Sequence, residues 1–462
     1  MFIFNIDEKK YKKIHFIGIG GISMSGLAEI LNESGYSVSG SDANKSDLLT
    51  KLANDGIDIH IGHKKENIDG ADLVIYTDAI SLDNEELREA IKQKIDIVDR
   101  ASFLGALMKN YKISMAISGT HGKTSTTSMV SEIIRNLPER PTILLGGKLD
   151  DINGNVLVGN REIMLTEACE YKANVLKYFP TTAVILNIDE DHLDYFDNME
   201  HIVNTFKGYA DNLKPGSTLI LNIDDPYVRE LQNRDNTTVV TFGVENDADY
   251  TAKNIKFCED GYPEYDLYYK GSLIGKVILS VLGIHNIKNS LAAIACAHEN
   301  NISFKDAING IHSYKGVHRR LEFKGMFGGA KVFDDYAHHP TEILASLHAI
   351  KRGCERNLYC IFQPHTFTRT KILLDSFSKS FSEADYTIIT DIYAAREKDY
   401  GDIHSKTLVD AINQNKDKAL YIETFRDIVK FLKDNLRPGD TVVTMGAGDV
   451  YKIGEMLLEE EK

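Results

Sequence analysis

Four times along the chain a short apolar run passes through a glycine-rich or polar turn into an amphipathic stretch. The segments are KIHFIGIGGISMSGLAEILNESG at 13–35, ISMAISGTHGKTSTTSMVSEIIRN at 113–136, KVFDDYAHHPTEILASLHAIK at 331–351 and DTVVTMGAGDVYKIGEMLLEE at 440–460. Strands alternating with helices of this length specify parallel α/β sheets. Ligands of such sheets gather at the carboxyl ends of the strands, where these turns fall. A chain of 462 residues exceeds one ordinary domain. Breaks are expected near 110, in DRASFLGALMKNYK, and near 316–322, in SYKGVHRRLEFKG. They divide the chain into 1–110, 111–318 and 319–462. Between 217 and 282 the runs STLILNIDD, TVVTFG and YPEYDLYYKGSLIGKVILSVLG follow one another with no helical pattern between them, which predicts antiparallel strands.

Composition narrows the function. Apolar residues make up 43% of the chain and the formal net charge is −15. That balance argues against a nucleic-acid partner, which calls for a basic face. No run approaches 18 apolar residues, so no membrane span or membrane partner is expected. The first residues mix charges where a signal peptide needs an apolar core. Cysteines 169, 258, 296, 354 and 360 match no zinc spacing and read as free thiols of a reducing compartment. A cytoplasmic location is expected.

Within the second recurrence, Gly119-Thr120-His121-Gly122-Lys123-Thr124-Ser125 resembles a phosphate-binding loop shortened by two residues, since Ile117 stands where the usual first glycine would. A strand over 113–117 and a helix over 125–135, with Met129, Val130, Ile133 and Ile134 on one side, place the loop at a helix N-terminus. Free backbone N–H groups and the helix dipole favour anionic oxygen there. Lys123 supplies a cation, and the Thr124 hydroxyl suits Mg2+.

The first recurrence carries Gly18-Ile19-Gly20-Gly21-Ile22-Ser23. This is a G-x-G-x-x-G pattern with serine at its end, and Ser41 and Asp42 close the following strand. Acidic residues at that spacing hold ribose hydroxyls in dinucleotide enzymes, although any pyrophosphate suits the same turn. Taken alone it supports an NAD(P)-dependent oxidoreductase. Further on, Glu167 ends an apolar strand. The strand TTAVILNI runs into Asp189, Glu190, Asp191, His192 and Asp194, oxygen-rich chemistry suited to Mg2+. The competing expectation is that at least two of Asp189, Glu190 and Asp191 serve as an acidic helix N-terminus.

These stretches, together with NIDEDHLDYF, GIHNIKNSLAAIA, HRRLEF, DDYAHHPTEI, QPHTFTRT and the terminal GAGD, resemble the Mur ligase family from residue 18 to 449, in order. The GGISMSG and DDYAHHPTEI segments are similar to its alanine-adding branch. The resemblance implies a Rossmann-like first domain for a UDP-substrate, a central ATP-binding α/β domain and a Rossmann-like third domain. It implies an enzyme that uses ATP and Mg2+ to join L-alanine to the lactyl carboxylate of UDP-N-acetylmuramate, through an acyl phosphate, as a monomer or weak homodimer. By the same resemblance Gly18, Gly20, Gly21, Ile22, Ser23, Ser41 and Asp42 meet the UDP-substrate, and Gly119 to Ser125 hold the ATP phosphates. Asn286 and Asn289 read adenine, and Arg320 and Asp335 contact ATP from the third domain. Thr124 serves one Mg2+, while Glu167 and His192 share a second. Lys123, Glu167, His192, His338 and Arg369 serve the reaction, with either His338 or His339 orienting the amine or phosphate. A recycling ligase for a preformed tripeptide, and a non-catalytic nucleotide sensor, are the nearby alternatives. The chain has Cys169 where many relatives have aspartate and Thr366 where many have arginine. Lys207 is expected to be a solvent-facing helical lysine.

Overall fold

The computed structural model describes residues 2–149, 152, 154–395, 397–415 and 418–459. Its architecture is α/β, with three sheet-bearing regions in two compact units. The first unit takes residues 1–189, 199–248 and 292–310; the second takes 190–198, 249–291 and 311–462.

In the first unit, strands β1 (Lys13–Ile17), β2 (Ser37–Asp42), β3 (Asp58–Ile61), β4 (Leu73–Tyr76) and β5 (Asp96–Asp99) form a parallel sheet in the order β3-β2-β1-β4-β5. The order reverses beside β1, so its carboxyl end opens a crevice. The unit continues with β6 (Ile113–Ser118), β7 (Thr142–Leu149), β8 (Gly154–Leu157), β9 (Ile163–Ala168), β10 (Thr182–Ile185), β11 (Thr218–Asn222) and β12 (Thr238–Gly243). These run in the order β12-β11-β10-β6-β9-β7-β8. All pairs are parallel except the β7–β8 hairpin. Met115 to Ile117, Ala183 to Ile185 and Leu219 to Leu221 are wholly buried. Central parallel strands covered on both faces need such unbroken apolar runs.

The expectation of antiparallel strands from 217 onward is therefore corrected at its start. Asp225 accepts N–H bonds from Tyr227 and Val228 and starts a helical turn at Pro226–Arg229. That turn supplies the crossover a parallel β11–β12 pair requires. The rest of the expectation holds in the second unit, where β13 (Tyr250–Phe257), β14 (Pro263–Tyr269) and β15 (Ser272–Ile278) form an antiparallel meander.

The second unit also contains β16 (Glu322–Phe327), β17 (Ala330–Asp335), β18 (Leu358–Phe362), β19 (Tyr386–Ile389), β20 (Ala419–Tyr421) and β21 (Thr441–Met445), in the order β16-β17-β21-β18-β19-β20. In this sheet the β16–β17 pair is antiparallel and the other described pairs are parallel. Among the described residues, no helix is long and apolar enough to cross a membrane. The five cysteines are free thiols, and Lys207 is exposed on the helix Met199–Asp211.

Candidate active site

The strand–loop–helix order expected around Gly119 to Thr124 is formed. β6 ends at Ser118 and a helix begins at Lys123, with Met129, Val130, Ile133 and Ile134 on its buried side. Gly119 (φ +134°) and Gly122 (φ +82°) adopt left-handed backbone that side chains disfavour. The loop is clamped from the end of β10. Thr120 N–H donates to Asn187 O (3.1 Å) and His121 N–H to Asn187 Oδ1 (2.7 Å). Asp189 N–H donates to Thr120 Oγ1 (2.9 Å), and His121 Nε2 lies 2.9 Å from Asp189 Oδ2. Asn187 was not singled out from the sequence, although it opens the quoted NIDEDH run.

Lys123 folds back into this loop. Its ammonium donates to Gly119 O (2.6 Å), Thr120 O (3.0 Å) and the Glu170 carboxylate (2.9 and 3.2 Å). Burial works against its charge, but the facing Glu170 outweighs that and raises its pKa. Ser125 follows in the first helical turn.

Glu167 sits on β9 opposite Ile117 of β6. Its Oε2 accepts from Thr124 Oγ1 (3.1 Å), and its Oε1 accepts from Gly146 N–H (2.7 Å). A Cβ on Gly146 would stand 2.7 Å from Glu167 Oε2, so β7 passes close because that residue has no side chain. A hydroxyl and a carboxylate side by side fit a hard divalent cation.

At the first glycine turn, Gly18 and Ile19 N–H both donate to Ser41 O, and Gly20 N–H donates to Asp42 Oδ2 (2.9 Å). Gly21 caps the helix Ile22–Glu33, and Arg100 donates to Ser23 Oγ (3.3 Å). Ser41 Oγ turns inward, donating to the buried Glu86 (2.6 Å) beside His63. Asp42 thus props the turn with one oxygen, and Ser41 belongs to a buried polar network. Neither Arg100 nor Glu86 carries a motif that would reveal its part.

The remaining candidates belong to the second unit. The expected acidic helix start is not formed: Asp191 and His192 precede the helix Met199–Asp211 in an irregular stretch. Asp191 instead accepts from Arg369 Nη2 (3.0 Å), a partner 178 positions away. Burial opposes its charge, but His192, Arg369, His338 and His339 hold its carboxyl below the usual range. Asp191, His192, Asp194, Thr366 and Arg369 line an open cleft with Leu193 and Ile372.

His339 is committed to structure. Its Nδ1 accepts from Thr341 N–H as the cap of the helix Pro340–Lys351, and its Nε2 donates to Glu190 O (3.0 Å). His338 donates Nδ1–H to Tyr336 O (3.0 Å), which leaves Nε2 as an acceptor. Burial lowers its pKa to about 4, so it is neutral at physiological pH.

Arg320 lies over the Tyr336 ring (5.1 Å) and 3.7 Å from Glu342. Asp335, at the end of β17, accepts from Ser346 Oγ and from Ala337 N–H, and burial raises its pKa to about 6. Asn289 Nδ2 donates to Asn286 Oδ1 (3.0 Å), and Asn286 Nδ2 to Leu282 O (2.7 Å), so the two act as one buried pair. At the end of the GAGD turn two N–H groups are taken within the chain. Gln363 Oε1 takes both Asp449 N–H and Val450 N–H at the start of the helix Tyr451–Glu459.

The three family models that cover the chain place it among ATP-dependent ligases, and the chain belongs to the Mur ligase family. Residues 13–112 match the Mur ligase family catalytic domain, 117–297 the Mur ligase middle domain and 319–448 the Mur ligase glutamate ligase domain. More particularly, the chain is 51% identical to the UDP-N-acetylmuramate–L-alanine ligase of Clostridium acetobutylicum, over 99% of this chain and 100% of that one. Its fold is similar to that of the UDP-N-acetylmuramate–alanine ligase of Thermotoga maritima, at a TM-score of 0.81 and 28% identity, over 98% of this chain and 99% of the other. A murein peptide ligase from Psychrobacter arcticus is also similar, at a TM-score of 0.71 and 25% identity, covering 97% and 98%.

Proposed function

We propose that this chain is an ATP-dependent, ADP-forming ligase that joins L-alanine to the lactyl carboxylate of UDP-N-acetylmuramate, a step of peptidoglycan precursor synthesis. The observation that carries the reading is the full-length identity of 51% to a ligase of that name. The compressed phosphate loop supports its use of ATP. Neither the oxidoreductase nor the nucleotide-sensor reading accounts for that likeness.

The chemistry is a two-stage exchange. A lactyl carboxylate oxygen attacks the γ-phosphorus and ADP leaves. The alanine amine then attacks the acyl carbon, inorganic phosphate leaves and the amine loses a proton. Two anions must meet in the first stage, so fixed positive charge decides its rate. Lys123 and the loop amides supply part of it. Thr124 and Glu167 offer oxygen ligands for Mg2+, which would neutralise phosphate charge when bound; His192 is proposed as a further ligand. We assign Arg369 to the amino-acid carboxylate or the transferring phosphate, and the Nε2 acceptor of His338 to the incoming amine. Asn286, Asn289, Arg320 and Asp335 are assigned to ATP. The first glycine turn, with Ser23, Ser41 and Asp42, is assigned to the UDP-substrate.

The proposed domains are 1–110 for the UDP-substrate, 111–318 for ATP and 319–462 for closure over both. A cytoplasmic monomer or weak homodimer without nucleic-acid partners completes the reading.

The test is ADP release. Turnover should need UDP-N-acetylmuramate, L-alanine and Mg2+ together with ATP. Release with tripeptide in place of L-alanine would favour the recycling ligase, and release indifferent to the sugar nucleotide would overturn both.

A further inference from the structure

Lys123 is fully engaged within the protein. An ammonium has three N–H bonds, and here each has an acceptor: Gly119 O, Thr120 O and the Glu170 carboxylate. A phosphate oxygen can take one of these hydrogens only if an acceptor withdraws. Two of the three are loop carbonyls. Thr120 is pinned through its N–H to Asn187 O and through its hydroxyl to Asp189. Glu170 alone holds the lysine through a side chain.

The position of Glu170 is built rather than incidental. Its side chain is 2% exposed, although it is charged and lies outside any regular strand. The residues after it, Lys172 (φ 54°) and Ala173 (φ 55°), are both left-handed, a conformation disfavoured for residues with a Cβ. Ala173 N–H closes back on Glu170 O (2.8 Å), and Asn174 Nδ2 ties the segment to Asp78 Oδ2 (2.8 Å). Backbone in such a state persists where its surroundings over-determine it, typically at functional sites. Here it aims a carboxylate at the phosphate-loop lysine.

We propose that Glu170 is a positioning residue that sets the affinity of the loop for ATP: it holds Lys123 by the N–H that a nucleotide phosphate needs, and the phosphate takes the ammonium by displacing it. This rests on the ATP reading above. In the exchange one anionic partner replaces another, so part of the phosphate's attraction is spent undoing the Lys123–Glu170 pair. The displaced carboxylate also stands near the incoming negative charge. A neutral amide at 170 keeps the shape and an acceptor oxygen but competes weakly and repels nothing. Removing the charge should therefore tighten ATP binding, whereas loss of a merely structural contact would leave it unchanged or weaken it.

Calorimetry on the full chain with a non-hydrolysable ATP analogue decides the matter, using wild type, Glu170→Gln, Lys123→Met and the double variant. Glu170→Gln should lower the Kd for the analogue by about fivefold or more, and the gain should vanish in the Lys123→Met background, because coupled residues are non-additive. The Kd for UDP-N-acetylmuramate should stay within about twofold. A folded Glu170→Gln protein with unchanged or weaker analogue binding overturns the proposal, as does an equal gain without Lys123. If the glutamine variant does not fold, Glu170→Asp, its carboxylate one methylene farther back, should show the same gain in smaller measure, and its absence overturns the proposal equally. A wild type that binds no analogue refutes the ATP reading itself.

Discussion

Glu167 is the residue on which the first chemical stage is expected to turn. It meets Thr124 and Gly146 through its two oxygens. Glu167→Ala removes the charged oxygen beside the phosphate loop, so the carboxylate and γ-phosphate would face one another with less neutralisation. Turnover should fall about a hundredfold, roughly 3 kcal/mol of barrier, while ATP binding changes much less because Lys123 and the loop amides remain. Near-normal turnover at saturating Mg2+ would make Glu167 structural. The position of Glu167 was legible, since an acid closing an apolar run marks a strand end. Its neighbours were not: the approach of Gly146 depends on β7 lying beside β9, which no local pattern encodes. The same holds for Asp191, which reads as one acid in a cluster until Arg369 is placed against it.

At the level of elements, strand–turn–helix units were readable because burial on both faces demands unbroken apolar strands and helices advertise their period. Two readings failed. Between β11 and β12 the crossover helix is a single turn at Pro226–Arg229, too short for periodicity to reveal. After β10 the expected acidic helix start is instead an irregular stretch, because Asp191 turns to Arg369 far along the chain. Gly146 allows a test. Gly146→Ala places a methyl against the movable end of Glu167, which should yield and leave Thr124. Turnover should drop about tenfold, roughly 1.4 kcal/mol, with little change in melting temperature. An unchanged rate would show that the carboxylate tolerates displacement.

At the scale of the whole molecule, buried titratable groups make stability depend on pH. Burial lowers His285 and His338 from 6.5 to about 4. Between those values the unfolded chain binds more protons, so these histidines make stability rise with pH and level off above 6.5. Asp335, raised from 3.8 to about 6 by burial, acts oppositely across its own interval. The effect is read by difference: between pH 4.5 and 6.5 the melting temperature should rise less steeply in His285→Gln than in wild type, because the variant lacks one imidazole that the fold keeps neutral. Parallel wild-type and His285→Gln profiles would contradict this burial effect.

The first unit is assembled from three separated stretches of chain, ending with 292–310. Ile133, on the helix that carries the phosphate loop, packs where a Cβ on Gly310 would lie 2.6 Å from its Cα, and Thr182 bonds Asn300. During translation these partners leave the ribosome about 180 residues after Ile133, roughly 10–35 s later at ordinary elongation rates. Over that interval the nascent phosphate-loop helix has an uncovered apolar side. The last piece of this unit thus closes it late, and the period before it arrives is when a chaperone has most to shield.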